Sequence, residues 1–345
     1  MTVNPDLSHL KVQDIGEQGL LKILQGFCPP EIIGDDGAIL AIVPTESLVV
    51  TTDVLVDNIH FSNITTSAAD AGWRAVAANL SDLAAMGAKP VGITVGLGLP
   101  GDTCVEWVRQ LYQGMGECLN QYGTVIVGGD IVRSPVKTIS ITAFGQVHPS
   151  RAIRRHTAKV GDVILVTGFH GASRGGLELL LHPESSQNLT LQEKQYLITA
   201  HQRPQPRLDI LTLLESLHPN SSHQLPLPIA GMDSSDGLAD AVLQICRASG
   251  VGAVIQQHLL PIPPTFFHWL SPTQAREYTL YGGEDFELVL CLPAELAQKL
   301  VSQIGQGAVI IGNITESSTV MLRDIHKKNP DQILNLSQGF QHFNQ

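Results

Sequence analysis

Residues 231–240 read GMDSSDGLAD. An apolar strand end runs into a turn holding Asp233, Asp236, two serines and a glycine. From Asp236 onward Leu238, Val242 and Ile245 repeat at helical spacing, closed by Gly250. Strand, acidic turn and helix in this order make the elementary unit of an α/β fold. The stretch also poses a chemical question. Asp233, Asp236 and Asp240 crowd one turn of a chain that already carries a net charge of -11 over its 345 residues.

The same unit recurs along the chain. SLVVTTD (47–53), PVGITVGLGLP (90–100), TVIVGGD (124–130), TISITAFGQV (138–147) and DVILVTG (162–168) read as strands, and YTLYGGEDFELVLCL (278–292) contains another. A helix is expected from an N-cap at Ser67 to a closing glycine at Gly87, and a second over 102–123. In the first helix Val76, Leu80 and Leu83 fall on a core face, while Asn79, Asp82 and Met86 share a different one. The basic, turn-rich segment HPSRAIRRHTAKVG (148–161) marks a boundary, giving domains over 1–148 and 149–345.

Composition narrows the function classes. Hydrophobic residues make up 43% and charged ones 15%, enough apolar material for packed cores and too little charge for disorder. No basic stripe is available for nucleic acid or an anionic membrane surface. No apolar run reaches the roughly 20 residues of a membrane span, and the N-terminus has no signal-peptide pattern. The five cysteines are scattered and form no C-x-x-C pair, which points to reduced thiols in a cytoplasmic protein.

One apparent motif is set aside. GLGLPG (96–101) matches the dinucleotide fingerprint G-x-G-x-x-G, but Pro100 interrupts the turn that should feed a helix. The alternation Val95, Leu97, Leu99 reads more simply as a strand ending in a Pro-Gly turn.

The stronger signal is a set of acidic clusters: GDD (34–36), TTDVLVDNIH (51–60), SDLAAMG (81–87), GGD (128–130), DSSDG (233–237) and GGED (282–285). Taken singly, each is an ordinary cap or turn. Together, at strand ends and helix starts, they supply carboxylates and hydroxyls, the hard oxygen donors that suit Mg²⁺ shared with substrate phosphates. Neither H-E-x-x-H nor a Cys/His grouping argues for zinc.

In this order GDDGAIL, TTDVLVDNIHF, NLSDLAAMGAKP, VGGDIVRSP, DSSDGLAD and GGEDFELVL resemble the thiamine-monophosphate kinases, within the group of ATP-dependent enzymes that includes aminoimidazole ribonucleotide synthetase. Ser234 stands in DSSDG where an apolar residue is common. The resemblance implies a two-domain α/β (α+β) fold like that of aminoimidazole ribonucleotide synthetase, and a homodimer whose N-terminal sheets join in a barrel. It implies transfer from ATP to thiamine monophosphate. Mg²⁺ ligands would be Asp36, Thr51, Thr52, Asp53, Asp82, Asp130, Asp233 and Asp236, with Asp53, Asp130 and Asp236 central to catalysis. ATP would meet Gly129, Asp130, Arg151 and Ser235; the thiamine substrate would meet His60, Glu284 and Phe343.

The implied chemistry explains the acidic turns. A phosphate monoester carries about -1.5 to -2 at pH 7. Two unit charges at 4 Å repel by ~4 kcal/mol at an effective dielectric of 20, and phosphate on phosphate multiplies that. Several divalent ions offset such repulsion, and aspartates anchor them. A metal-dependent phosphohydrolase and a non-catalytic nucleotide- or metal-binding protein are the competing readings of the same residues.

Overall fold

The chain divides into two compact units, 1–83 with 89–146, and 84–88 with 147–345. The computed structural model describes residues 7, 9–30, 32, 38–217, 227–326 and 330–338.

The first unit runs α1 (Val12–Leu24), β1 (Ser47–Val56), α2 (Ala68–Ala85), β2 (Lys89–Leu99), α3 (Val105–Tyr122), β3 (Ile126–Arg133) and β4 (Thr138–Val147). Its sheet has the order β1-β4-β2-β3, so β1 and β3 are the two edges; β2 is parallel to β3 and antiparallel to β4. Ile139, Ile141 and Ala143 of β4 and Ile93, Val95 and Leu97 of β2 lie on one face and are almost wholly buried. Thr138, Ser140 and Thr142 alternate with them on the other face and are only partly covered. Helix α2 starts as the sequence predicts, with Ser67 Oγ accepting the N–H of Asp70 at 3.2 Å, and Val76, Leu80 and Leu83 are fully buried. Helices α2 and α3 cross at backbone contact. A Cβ on Gly72 would lie 2.0 Å from the Leu111 carbonyl oxygen, and one on Gly114 would lie 1.8 Å from that of Ala69. The fragment GLGLPG is part of β2: Gly96 and Gly98 pair with Ser140 and Thr138, and the strand continues to Leu99 before the Pro-Gly turn.

The second unit runs β5 (Val163–Val166), α4 (Ala172–Leu181), α5 (Leu191–Gln202), α6 (Asp209–Leu217), β6 (Ala230–Asp233), α7 (Leu238–Ser249), β7 (Gly252–Gln256), α8 (Phe266–Trp269), α9 (Pro272–Tyr281), β8 (Leu288–Leu292), α10 (Ala294–Ile304), β9 (Val309–Thr315), β10 (Val320–Arg323) and β11 (Gln332–Ile333). The seven strands lie in the order β11-β10-β7-β9-β5-β8-β6, with β10–β7 the parallel pair and the others antiparallel. Both faces of this sheet are covered, which is why β8 is a continuous apolar run, LVLCL, rather than an alternating one. Leu288, Leu290 and Leu292 pack with Ile210 and Leu214 of α6 and Leu296 and Leu300 of α10. Val289 and Cys291 face the other way, against Leu238, Val242 and Ile245 of α7. Each fully buried side chain of this kind stabilises the fold by about 1.5–3 kcal/mol.

Candidate active site

In the first unit the acidic residues sort by strand position and by sheet face. Thr51 and Asp53 occupy alternate positions on β1 and so share a face, the one that meets α2. The Thr51 hydroxyl donates a short hydrogen bond to Asp82 Oδ2, and the Asp53 N–H donates to Asn79 Oδ1 at 3.2 Å. Asn79 and Asp82 are three residues apart on α2, so the polar face read from sequence is the one α2 presents to β1. Thr52 points to the opposite face, its hydroxyl 2.8 Å from that of Thr142.

Gly129 and Asp130 lie on β3, paired with Val95 and Gly96, and both are exposed. Asp130 Oδ1 accepts the N–H of Ile131 at 2.9 Å. Gly96 also pairs with Ser140, so the register puts Asp130 on the face of Thr142 and Thr52. Because β1 and β3 are opposite edges, Asp53 and Asp130 are three strand spacings apart, about 14 Å across the sheet.

His60 sits in the turn after β1. Its Nδ1 accepts the N–H of Val56 at 3.1 Å, its own N–H donates to the Val56 carbonyl at 2.9 Å, and Arg74 Nη2 donates to its carbonyl at 3.4 Å. With Nδ1 accepting, the neutral ring carries its proton on Nε2.

In the second unit two sequence motifs some 50 residues apart become one structure. Strands β6 and β8 pair antiparallel with Asp233 opposite Leu288, so the turn leaving β6 and the loop entering β8 emerge at the same end. Antiparallel pairing does the gathering here. The Ser234 N–H and hydroxyl both donate to the Glu287 carbonyl, at 2.9 and 3.1 Å. That use of the hydroxyl accounts for a serine at this nearly fully buried position. The Glu284 N–H donates to the Ser235 carbonyl at 2.7 Å. Ser235 Oγ donates to Asp233 Oδ1 at 3.2 Å. Asp236 does not cap α7; Gly237 is the N-cap. Burial first, and then the nearby Asp236, raise the pKa of Asp240 from its ordinary value. Arg151 ends a short 3-10 turn, Pro149–Arg151, and its N–H donates to the His148 carbonyl at 2.7 Å.

Asp36 and Phe343 lie outside the described residues. Among the described residues, no group of three or more His, Cys, Asp or Glu side chains lies close enough to hold a metal ion. The donors that do meet, Thr51 with Asp82 and Ser235 with Asp233, are all oxygen. They fit Mg²⁺, which takes one or two carboxylates and completes its shell with water and phosphate.

The GGED loop holds residues that sequence reading passed over. Asp285 Oδ2 accepts the N–H of Gly171 at 2.6 Å and its Oδ1 accepts that of Ser173 at 2.9 Å, both at the start of α4. Burial pushes its pKa up to about 7 against the lowering effect of these two bonds. Glu284 Oε2 lies 3.8 Å from Nδ1 of the buried His201, and the Ser173 hydroxyl is 3.2 Å from the same nitrogen. Glu287 is bound by Thr167 and Arg207. The signal for Asp285 was in the quoted motif itself, an aspartate locked between a glutamate and an aromatic after two glycines.

Comparison with known proteins places this geometry. Residues 34–147 match the N-terminal domain of AIR synthase related proteins and residues 159–324 the C-terminal domain of the same proteins. A curated thiamine-monophosphate kinase of Synechococcus elongatus is 52% identical over 339 residues, 98% of this chain and 99% of that protein. The crystal structure of thiamine-monophosphate kinase from Stenotrophomonas maltophilia K279a superposes with a TM-score of 0.73 at 33% identity, over 84% of this chain and 89% of that one. A structure of AaThiL complexed with AMPPCP and TMP gives 0.70 at 28% identity, over 94% and 98%. The chain belongs to the thiamine-monophosphate kinases, with the two-domain AIR synthase related fold.

Proposed function

We propose that this kinase moves the γ-phosphoryl group of ATP directly and in line onto the phosphate of thiamine monophosphate, giving ADP and thiamine diphosphate. The observation that carries the reading is the bond between Glu284 and Ser235. The residue assigned to the thiamine substrate and the residue assigned to ATP are latched by one backbone hydrogen bond, so donor and acceptor are held by one rigid feature.

The acceptor phosphate is already largely ionised at pH 7, with a second pKa near ~6, so no strong general base is needed. The work left to the protein is positioning and charge neutralisation. Glu284, whose side chain is 37% exposed, is the partner for the thiazolium cation. His60, with a proton on Nε2, donates to the acceptor phosphate. Ser235, the backbone around Gly129, and Arg151 hold ATP. Asp53, Asp82, Asp130, Asp233 and Asp236, with the Thr51 and Thr52 hydroxyls, would hold the metal ions. When bound, Mg²⁺ supplies positive charge that screens the two phosphates from each other.

The 14 Å between the edges leads to a homodimer. An ion shared by two carboxylates at about 2.1 Å per bond brings their oxygens within ~4.2 Å, and three strand spacings within one chain stand against that for Asp53 and Asp130. A second copy that lays its β3 edge against β1 would set the strand carrying Asp130 of the partner subunit beside the strand carrying Asp53, one spacing apart in place of three, with the two side chains starting from opposite faces. The surface supports this: Leu48, Val50 and Val54 on β1 and Val132 on β3 are between 45% and 54% exposed, on edge strands that pair on one side only among the described residues. The five cysteines are free thiols, which fits our inference of a cytoplasmic location. No helix among the described residues is long and apolar enough to cross a membrane.

The test is product balance and stereochemistry. With ATP, Mg²⁺ and thiamine monophosphate, ADP and thiamine diphosphate should form in equal amounts, with inversion at a chiral γ-phosphorus. Retention would point to a covalent phosphoenzyme. Inorganic phosphate released from thiamine monophosphate without ATP would favour the phosphohydrolase.

A further inference from the structure

We propose that Asp285 is a positioning residue that sets the carboxylate of Glu284, acting through the first turn of α4. The inference rests on the reading of Glu284 as the partner of the thiazolium cation.

The loop is strained on both sides of Asp285. Glu284 has φ 64° and Phe286 has φ 53°, both left-handed and neither a glycine. Each such residue is strained and persists only where its surroundings over-determine it. The over-determination is visible. The two carboxylate oxygens of Asp285 take the N–H groups of Gly171 and Ser173, the otherwise orphaned donors at the positive end of a ten-residue helix. Phe286 is 6% exposed and anchors the far side.

Ser173 connects this clamp to the neighbouring acid. Its backbone N–H holds Asp285, and its hydroxyl meets Nδ1 of His201, the nitrogen that faces Glu284. Helix α4 therefore fixes Glu284 twice, through the backbone of the next residue and through the imidazole beside its carboxylate. Replacing Asp285 by Asn turns one acceptor into a donor that opposes an N–H of α4. The left-handed turn then relaxes, and Glu284 leaves its place while its own charge is untouched.

The experiment is a double-mutant cycle on the full-length kinase, read as KM for thiamine monophosphate, KM for ATP, and Tm. Glu284→Gln is expected to raise KM for thiamine monophosphate about tenfold, since it removes one charge-paired contact. Asp285→Asn is expected to raise the same KM by a similar factor, to leave KM for ATP within about twofold, and to add little in the Glu284→Gln background. Should the two changes multiply toward a hundredfold, or should Asp285→Asn lower Tm alone, the positioning role is overturned while the reading of Glu284 stands. An unchanged KM in Glu284→Gln removes the reading of Glu284 and this inference with it. If Asp285→Asn does not fold, hydrogen exchange on the wild-type enzyme decides. Thiamine monophosphate should slow exchange at the amides of Gly171 and Ser173 where ATP alone does not; equal protection by both would overturn the proposal.

Discussion

The N–H of Glu284 donates to the carbonyl of Ser235 at 2.7 Å, and Gly283 makes the approach possible. A Cβ on Gly283 would lie 2.5 Å from that same carbonyl oxygen. Gly283→Ala therefore has to push the two loops apart at backbone level, an overpacking of about 1–3 kcal/mol. We expect kcat/KM to fall at least tenfold for ATP and for thiamine monophosphate alike, with Tm lower by a few degrees. Steady-state kinetics on both substrates check it.

The Thr51 hydroxyl donates to Asp82 on the face that α2 turns toward β1. Thr51→Val keeps the shape of the side chain and leaves the carboxylate without that donor, at a stability cost of about 1 kcal/mol. The larger expected effect is on the metal: the Mg²⁺ concentration giving half-maximal rate should rise several-fold, while KM for thiamine monophosphate at saturating Mg²⁺ stays put. A magnesium titration at fixed substrate reads this directly.

Asp285 gives a pH dependence with a definite sign. Its pKa rises from 3.8 to about 7 on folding, with burial the largest cause. Between those values the unfolded chain is ionised at this position while the folded chain keeps the proton. Stability from this group is thus lost as pH rises through that window. The difference in Tm between wild type and Asp285→Asn should shrink from pH 5 to pH 7 and level off above it. Thermal melts of both proteins across pH 5–8 measure it.

How much of this was open to sequence reading follows from where each signal resides. Val76, Leu80 and Leu83 marked the core face of α2, and Asn79 with Asp82 its polar face, because helical period survives in any surroundings. The Rossmann alternative was set aside on Pro100 and the alternation Val95, Leu97, Leu99, and Gly96 and Gly98 do lie within a strand. Strand order was not legible. Nothing in TTD or GGD says that β1 and β3 are opposite edges of one sheet, because pairing between distant strands is a tertiary outcome. The antiparallel match of Asp233 with Leu288, which joins DSSDG to GGED, was hidden for the same reason. Asp285 was overlooked because an aspartate in a glycine turn has an ordinary local use, and its partners at Gly171 and Ser173 lie more than 110 residues away.

The separation of Asp53 from Asp130 makes the central claim testable in one preparation. Asp53→Asn and Asp130→Asn should each be inactive as homodimers, with kcat lower by at least about 100-fold and Tm nearly unchanged, since neither residue is in the core. Co-express the two variants with different tags and purify the mixed dimer. If each site takes Asp53 from one chain and Asp130 from the other, one of the two sites in that dimer is fully wild type, and kcat per dimer should return to about half. A mixed dimer as inactive as its parents would contradict the account, because it would mean that the acidic residues act within a single chain.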